Sequence, residues 1–150
     1  MNGTPRIASF FIEDLTVGQS ASYSRTISEG DIAQFGAVSG DLNPLHFDEA
    51  YAKGTIFRGR IAHGMLSVSF LSTVLGTMLP GAGSIFLGAS VSFKAPVRIG
   101  DTVTATCRVK EIDTAKRRVT FECFCMVDST AVIEGEAVVK VPSRAVQQKA

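Results

Sequence analysis

An excess charge of either sign is missing from this chain. Fifteen Lys and Arg face fourteen Asp and Glu, a formal net charge of +1. No global field therefore draws it to nucleic acid or to an anionic membrane. The opening residues, MNGTPRIASFF, hold one arginine and no apolar run of signal-peptide length, so the expected location is the cytoplasm. Cysteine is scarce. Cys107, Cys123 and Cys125 are odd in number, and the last two are one residue apart, which is neither a zinc nor a redox spacing. They read as small core-filling residues kept reduced. Also absent are a glycine-rich phosphate loop, a G-x-S-x-G elbow and a dinucleotide fingerprint.

What is present is apolar material, 45% of 150 residues. That is enough for one domain with a core, expected over 1–150 with a polar, frayed tail over 142–150. The densest stretch is His63–Leu79, HGMLSVSFLSTVLGTML. Its apolar residues fall on every side of a 3.6-residue helix, which predicts a helix buried all round. Seventeen residues rise roughly 25 Å, short of the ~30 Å hydrocarbon core. Five hydroxyls and two glycines dilute the stretch further. It therefore reads as the central helix of a water-soluble domain, stopped by Pro80, Gly81 and Gly83.

Around it the period is 2. Alternation over 19–27, 87–94, 102–109, 119–127 and 131–141 predicts about five strands, antiparallel and each with one buried face. Ser28 opens S-E-G-D, a capping-box-like helix start, and Gly40 closes that helix. Asp48 caps a short E-A-Y-A-K helix. Five one-faced strands and one helix needing cover on all sides together predict an α+β domain: a strongly curved antiparallel sheet wrapped around a long central helix. The sheet keeps edge strands, which dimerisation often pairs off.

Chemistry concentrates in D-L-N-P-L-H-F-D, residues 41–48. Histidine moves protons near neutral pH, and a nearby carboxylate orients it or shares a water with it. Pro44 stiffens the link between Asp41 and His46. D-x-N-P is also a common way to build an Asx turn, and the loop residues by themselves leave both readings open. One fact favours a site: the chain has only two histidines, His46 here and His63 at the start of the central helix. Gly64 opens that helix, where free N–H groups and the positive dipole end form a possible oxyanion hole. Spacing alone favours the plainer view, a tight helix start. His63 reads as a structural helix-start residue, Ser67 and Ser69 as hydroxyls bonded one turn back, and the Arg58/Arg60, Lys94/Arg98 and 116–118 basic groups as solvated faces.

These segments resemble a known family. V-S-G-D-L-N-P-L-H-F-D-E-A-Y-A, then I-A-H-G-M-L, then G-S-I-F-L-G-A-S-V-S-F-K-A-P-V and G-D-T-V-T look like the MaoC-like hydratases, the R-specific enoyl-CoA hydratases of hot-dog fold. The resemblance covers about 10–142. It implies reversible syn addition of water to a trans-2-enoyl-CoA, giving the (R)-3-hydroxyacyl-CoA, without a metal or other cofactor. It makes Asp41 and His46 the catalytic pair that activates water and has Asn43 position that water. Gly64 would supply a backbone N–H to the thioester oxygen, and Ser72 would lie close to the pair. It also implies a homodimer whose partner bounds part of the acyl tunnel. Bulky Leu71, Val74, Leu75 and Met78 point to short or medium acyl chains.

The main rival is a (3R)-hydroxyacyl-carrier-protein dehydratase with the same chemistry. A thioesterase wants a carboxylate on or near the central helix, where 63–79 has none. A non-catalytic acyl-binding subunit needs Asp41 and His46 to be a mere turn.

Overall fold

The structure is a computed structural model and describes residues 6–146. After a 3-10 turn at Ile12–Asp14, the chain runs β1 (Ser20–Thr26), α1 (Glu29–Ser39), α2 (Pro44–Phe47), α3 (Glu49–Lys53), α4 (Gly64–Thr77), β2 (Ile85–Phe93), β3 (Thr102–Asp113), β4 (Arg118–Val127) and β5 (Thr130–Lys140). The five strands form one antiparallel sheet in the order β1-β3-β4-β5-β2.

Local chemistry explains the helix ends. Ser28 Oγ accepts from the Asp31 N–H while Asp31 Oδ2 accepts from the Ser28 N–H, each at 3.1 Å, which closes a reciprocal capping box on α1. Gly40 ends α1 at φ 78°, in the left-handed region that glycine occupies without steric cost. Beyond α4, Gly81 sits at φ 87° with no room for a side chain: a β-carbon there would meet the Ala8 carbonyl oxygen at 1.9 Å.

The packing corrects the expected architecture. The sheet does not curl around a long central helix. It is open, and β1 and β2 at its ends are not paired with each other. Helix α4 has 14 residues, about 21 Å, and lies on one face of the sheet. Its Leu66, Phe70, Leu71, Val74 and Leu75 are buried, whereas Met65, Ser69, Ser72 and Gly76 are exposed. Those four fall at i, i+4, i+7 and i+11, which is one helix face. Three of them are small or polar, so this flank asks for no cover from its own chain.

Two of the three cysteines let α4 sit close. Cys107 Sγ contacts the Leu71 carbonyl at 3.8 Å and Cys125 Sγ the Ser67 carbonyl at 3.7 Å. They belong to the core with Ala105, Phe121, Ile133 and Val139. Strands β3, β4 and β5 bury one face as their alternation predicts, but β2 does not. Ile85, Phe86, Leu87 and Phe93 are all about half exposed, because β2 is an edge strand whose outer side nothing among the described residues pairs with. The tail expected to fray is held at its start. The Ser143 hydroxyl donates to Glu13, and Arg144 pairs with Asp14 at 2.7 Å. Positions 147–150 lie outside the described residues.

Candidate active site

The site forms where α1, α2 and α4 meet. Gly40 turns the chain out of α1, and the Asp41 N–H is held by Ser39 Oγ at 3.1 Å. Asp41 Oδ1 accepts from the Asn43 N–H at 3.2 Å, and Asn43 Oδ1 accepts from the Leu45 N–H at 3.0 Å. Both are turn-forming bonds, and Pro44 at the first position of α2 locks the second. The Asx turn and the candidate site are therefore the same object. The turn aims α2 so that His46 is buried at 7% exposure while Asp41 stays open.

His46 is held from two sides. Its Nδ1 lies 2.8 Å from the Ile61 carbonyl oxygen. A carbonyl only accepts, so Nδ1 carries the proton and Nε2 keeps a lone pair. The His46 carbonyl accepts from Arg60 Nε at 2.7 Å, and Arg60 pairs with Glu29 at 2.7 Å. Arg60 thus braces α2 and is not the solvated cation its sequence neighbourhood suggests. The hydrogen bond from Arg60 also holds the Glu29 carboxyl below its ordinary value.

The fold brings Asp41 and His46 together and adds His63, the N-cap residue of α4. Each of the three offers an atom within 4.8 Å of the others, a gap that one water can span with two hydrogen bonds. His63 Nε2 lies 2.9 Å from the Asp41 carbonyl oxygen, and the two imidazoles stack with centroids 3.9 Å apart and planes 30° apart. Each ring has one nitrogen engaged by a backbone carbonyl, Nδ1 of His46 and Nε2 of His63, which leaves the other nitrogen of each free for a second partner.

A cavity of about 350 Å³ opens beside this cluster, lined by Asp41, His46, His63, Gly64, Ser67 and Phe93 among others. Gly64 is the first residue of α4, so its N–H has no partner within the helix and lies at the positive end of the dipole. Asn43 is exposed, with its side-chain oxygen committed to Leu45. Ser72 is exposed two turns along α4 and is not part of the cavity wall.

Sequence reasoning missed His63, Ser67, Arg60 and Phe93. Only His63 carried a signal, as one of two histidines. Ser69 Oγ bonds the Leu66 carbonyl one turn back, but the buried Ser67 hydroxyl has no partner, contrary to the expectation for helix serines.

Comparison with known proteins identifies the family. Residues 15–132 match the MaoC like domain family. An (R)-specific enoyl-CoA hydratase of Rhodospirillum rubrum is 56% identical over 134 residues, covering 89% of this chain and 93% of the relative. A 3-hydroxybutyryl-CoA dehydratase of Methylorubrum extorquens is 41% identical over 140 residues, covering 93% and 89%. Among solved structures, the (R)-hydratase of A. caviae involved in PHA biosynthesis superposes with a TM-score of 0.83 at 44% identity, covering 87% of this chain and 99% of that one.

Proposed function

The chain belongs to the MaoC-like domain family, and from that premise we propose that it is an (R)-specific enoyl-CoA hydratase acting through Asp41 and His46. The enzyme adds water reversibly to a trans-2-enoyl-CoA to give the (R)-3-hydroxyacyl-CoA. The observation that carries the site assignment is the Asp41 carboxylate and the His46 ring within 4.8 Å of each other, at the wall of a cavity that also contains Gly64.

In this mechanism Asp41 and the His46 Nε2 lone pair accept the two hydrogens of one water and turn its oxygen toward C3. As the C3–O bond forms, the water gives one proton to the pair. The C2–C3 π electrons shift toward the thioester, and its oxygen gains negative charge facing the Gly64 N–H and the α4 dipole. The pair then passes a proton to C2 on the same face, which restores the resting state and gives syn addition. Asn43 serves by fixing the turn that presents Asp41.

The enzyme works as a homodimer. Support comes from the exposed apolar edge of β2, the kind of edge that natural proteins otherwise cover or charge. Three free, buried thiols fit a reducing compartment such as the cytoplasm. Among the described residues no helix is long and apolar enough to cross a membrane.

The test is hydration of crotonyl-CoA, followed by loss of the enoyl-thioester absorbance and chiral analysis of the product. A parallel panel uses longer enoyl-CoAs and the crotonyl thioester of a carrier protein. Formation of the (S)-product, or no hydration of any enoyl-CoA, would refute the assignment. Turnover confined to the carrier-protein thioester would move the substrate class to the dehydratases of fatty-acid synthesis.

A further inference from the structure

His63 touches both members of the catalytic pair. Its Nε2 faces the Asp41 carbonyl oxygen at 2.9 Å, and because a carbonyl only accepts, Nε2 must carry the proton. Its ring stacks on that of His46 at 3.9 Å. Phe35 and Phe47 enclose it at centroid distances of 4.8 and 5.6 Å, and only 2% of the residue is exposed. With Nε2 protonated, Nδ1 is a lone pair, and it is buried without a partner. A proton placed there would be a buried donor with no acceptor, which is costly.

One turn further on is the complement. Among the described residues, the Ser67 hydroxyl is the only other buried side-chain polar atom lacking a partner. His63 caps α4 and Ser67 lies four residues on, in its first turn, and both line the cavity. One atom needs a donor and the other has one to give.

We propose that His63 is a positioning residue for the hydration, held as the Nε2–H tautomer, with Nδ1 accepting a hydrogen bond from the Ser67 hydroxyl in the substrate complex. The inference rests on the hydratase reading above. Its logic is geometric. The bond to the Asp41 carbonyl fixes the backbone from which that carboxylate projects, and the stacked ring fixes the tilt of His46. One side chain thus sets the separation of the two groups that share the water. Misplacement of reacting groups by about 1 Å costs on the order of 10²-fold in rate. His63 itself takes no proton from the water and gives none to C2.

Three measurements test it. Two-bond ¹H–¹⁵N correlation on the wild-type protein should show Nε2 protonated and Nδ1 bare for His63; the opposite tautomer overturns the proposal whatever any variant does. His63→Phe keeps the ring and loses the donor, whereas His63→Gln keeps an N–H donor and loses the ring. The Phe variant should lose about 10²-fold in kcat with little change in KM for crotonyl-CoA, and Gln should recover about tenfold of that loss. Wild-type kcat in a folded Phe variant, or equal losses in the Phe and Gln variants, overturns it. Should the Phe variant not fold, Ser67→Ala decides: kcat should fall several-fold at unchanged KM and Tm, and an unchanged kcat counts against the His63–Ser67 link. Failure of the wild-type protein to hydrate any enoyl-CoA counts against the hydratase reading, while a wrong tautomer in an active enzyme counts against this inference alone.

Discussion

A β-carbon added to Gly64 would lie 2.5 Å from Cε1 of Phe93, the last residue of β2. Glycine at the first turn of α4 therefore meets two demands. It lets the edge strand close over the helix start, and it leaves the backbone N–H open to the cavity.

Those demands separate experimentally. Gly64→Ala should lower both Tm and hydratase activity. Adding Phe93→Ala removes the clash and should recover much of the Tm, while kcat stays depressed by ~10-fold or more because the methyl group still crowds the thioester oxygen. Full recovery of kcat in the double variant would show that the thioester oxygen does not come close enough to Gly64 for a β-carbon to crowd it.

Asp41→Asn and His46→Ala should each reduce kcat on crotonyl-CoA by about 10³-fold or more, since each removes a group that handles the water's protons. Asp41 is exposed, so the Asn variant should melt within a few degrees of the wild type. His46 is buried and holds the Ile61 carbonyl, so the Ala variant should also lose about 1–2 kcal/mol of stability, read from denaturant unfolding. A folded, fully active Asp41→Asn protein would end the assignment.

The Arg25–Asp31 pair predicts an acid-labile contribution to stability. The bidentate hydrogen bonds from Arg25, at 3.0 and 2.7 Å, hold the Asp31 carboxyl well below its usual range, at about 2. A carboxyl depressed in the folded state stabilises above the unfolded-state value, near 4, and loses that contribution as pH falls toward 2. Arg25 is half exposed, so solvent screening limits the effect to about 1 kcal/mol. Arg25→Met should destabilise the protein at pH 7 and leave a clearly smaller difference at pH 2.5 in urea unfolding. An equal difference at both pH values would refute the linkage.

The thiols should be inert. Burial pushes the Cys125 thiol up to about 12, and contact with Cys123 together with burial raises that of Cys107. The thiolate is the reactive form, so the native protein should resist a thiol-specific reagent over minutes, and three thiols per chain should react once it is unfolded. Rapid labelling of the native protein would place a cysteine where solvent reaches it.

The exposed edge of β2 should be the subunit contact. Leu87→Lys puts a charge on that edge and should shift the protein from dimer to monomer in sedimentation velocity, with activity falling alongside. A wild-type protein that is monomeric at micromolar concentration would remove the dimer from the proposed function.

Much of this was legible in the sequence because it depends on near neighbours along the chain. The capping box at Ser28, the Asn43–Pro44 turn that presents Asp41 and His46, and the alternation of β3, β4 and β5 are set by local hydrogen bonds and side-chain period. What local pattern could not fix was cover. Apolar residues all round α4 imply burial on every side only if the chain supplies something for every side, and here one flank carries Met65, Ser69, Ser72 and Gly76 in the open. The same applies to β2, whose alternation is strand-like although its apolar side chains are uncovered.

The sequence by itself determined that Asp41 and His46 share one turn, because a stretch of D-L-N-P-L-H type sets their spacing within a few residues. Only the tertiary structure decided what steadies that pair. His63, Arg60 and Ile61 reach it across 14 to 22 residues, and nothing in the spacing of a chain says which distant carbonyl a ring nitrogen will meet.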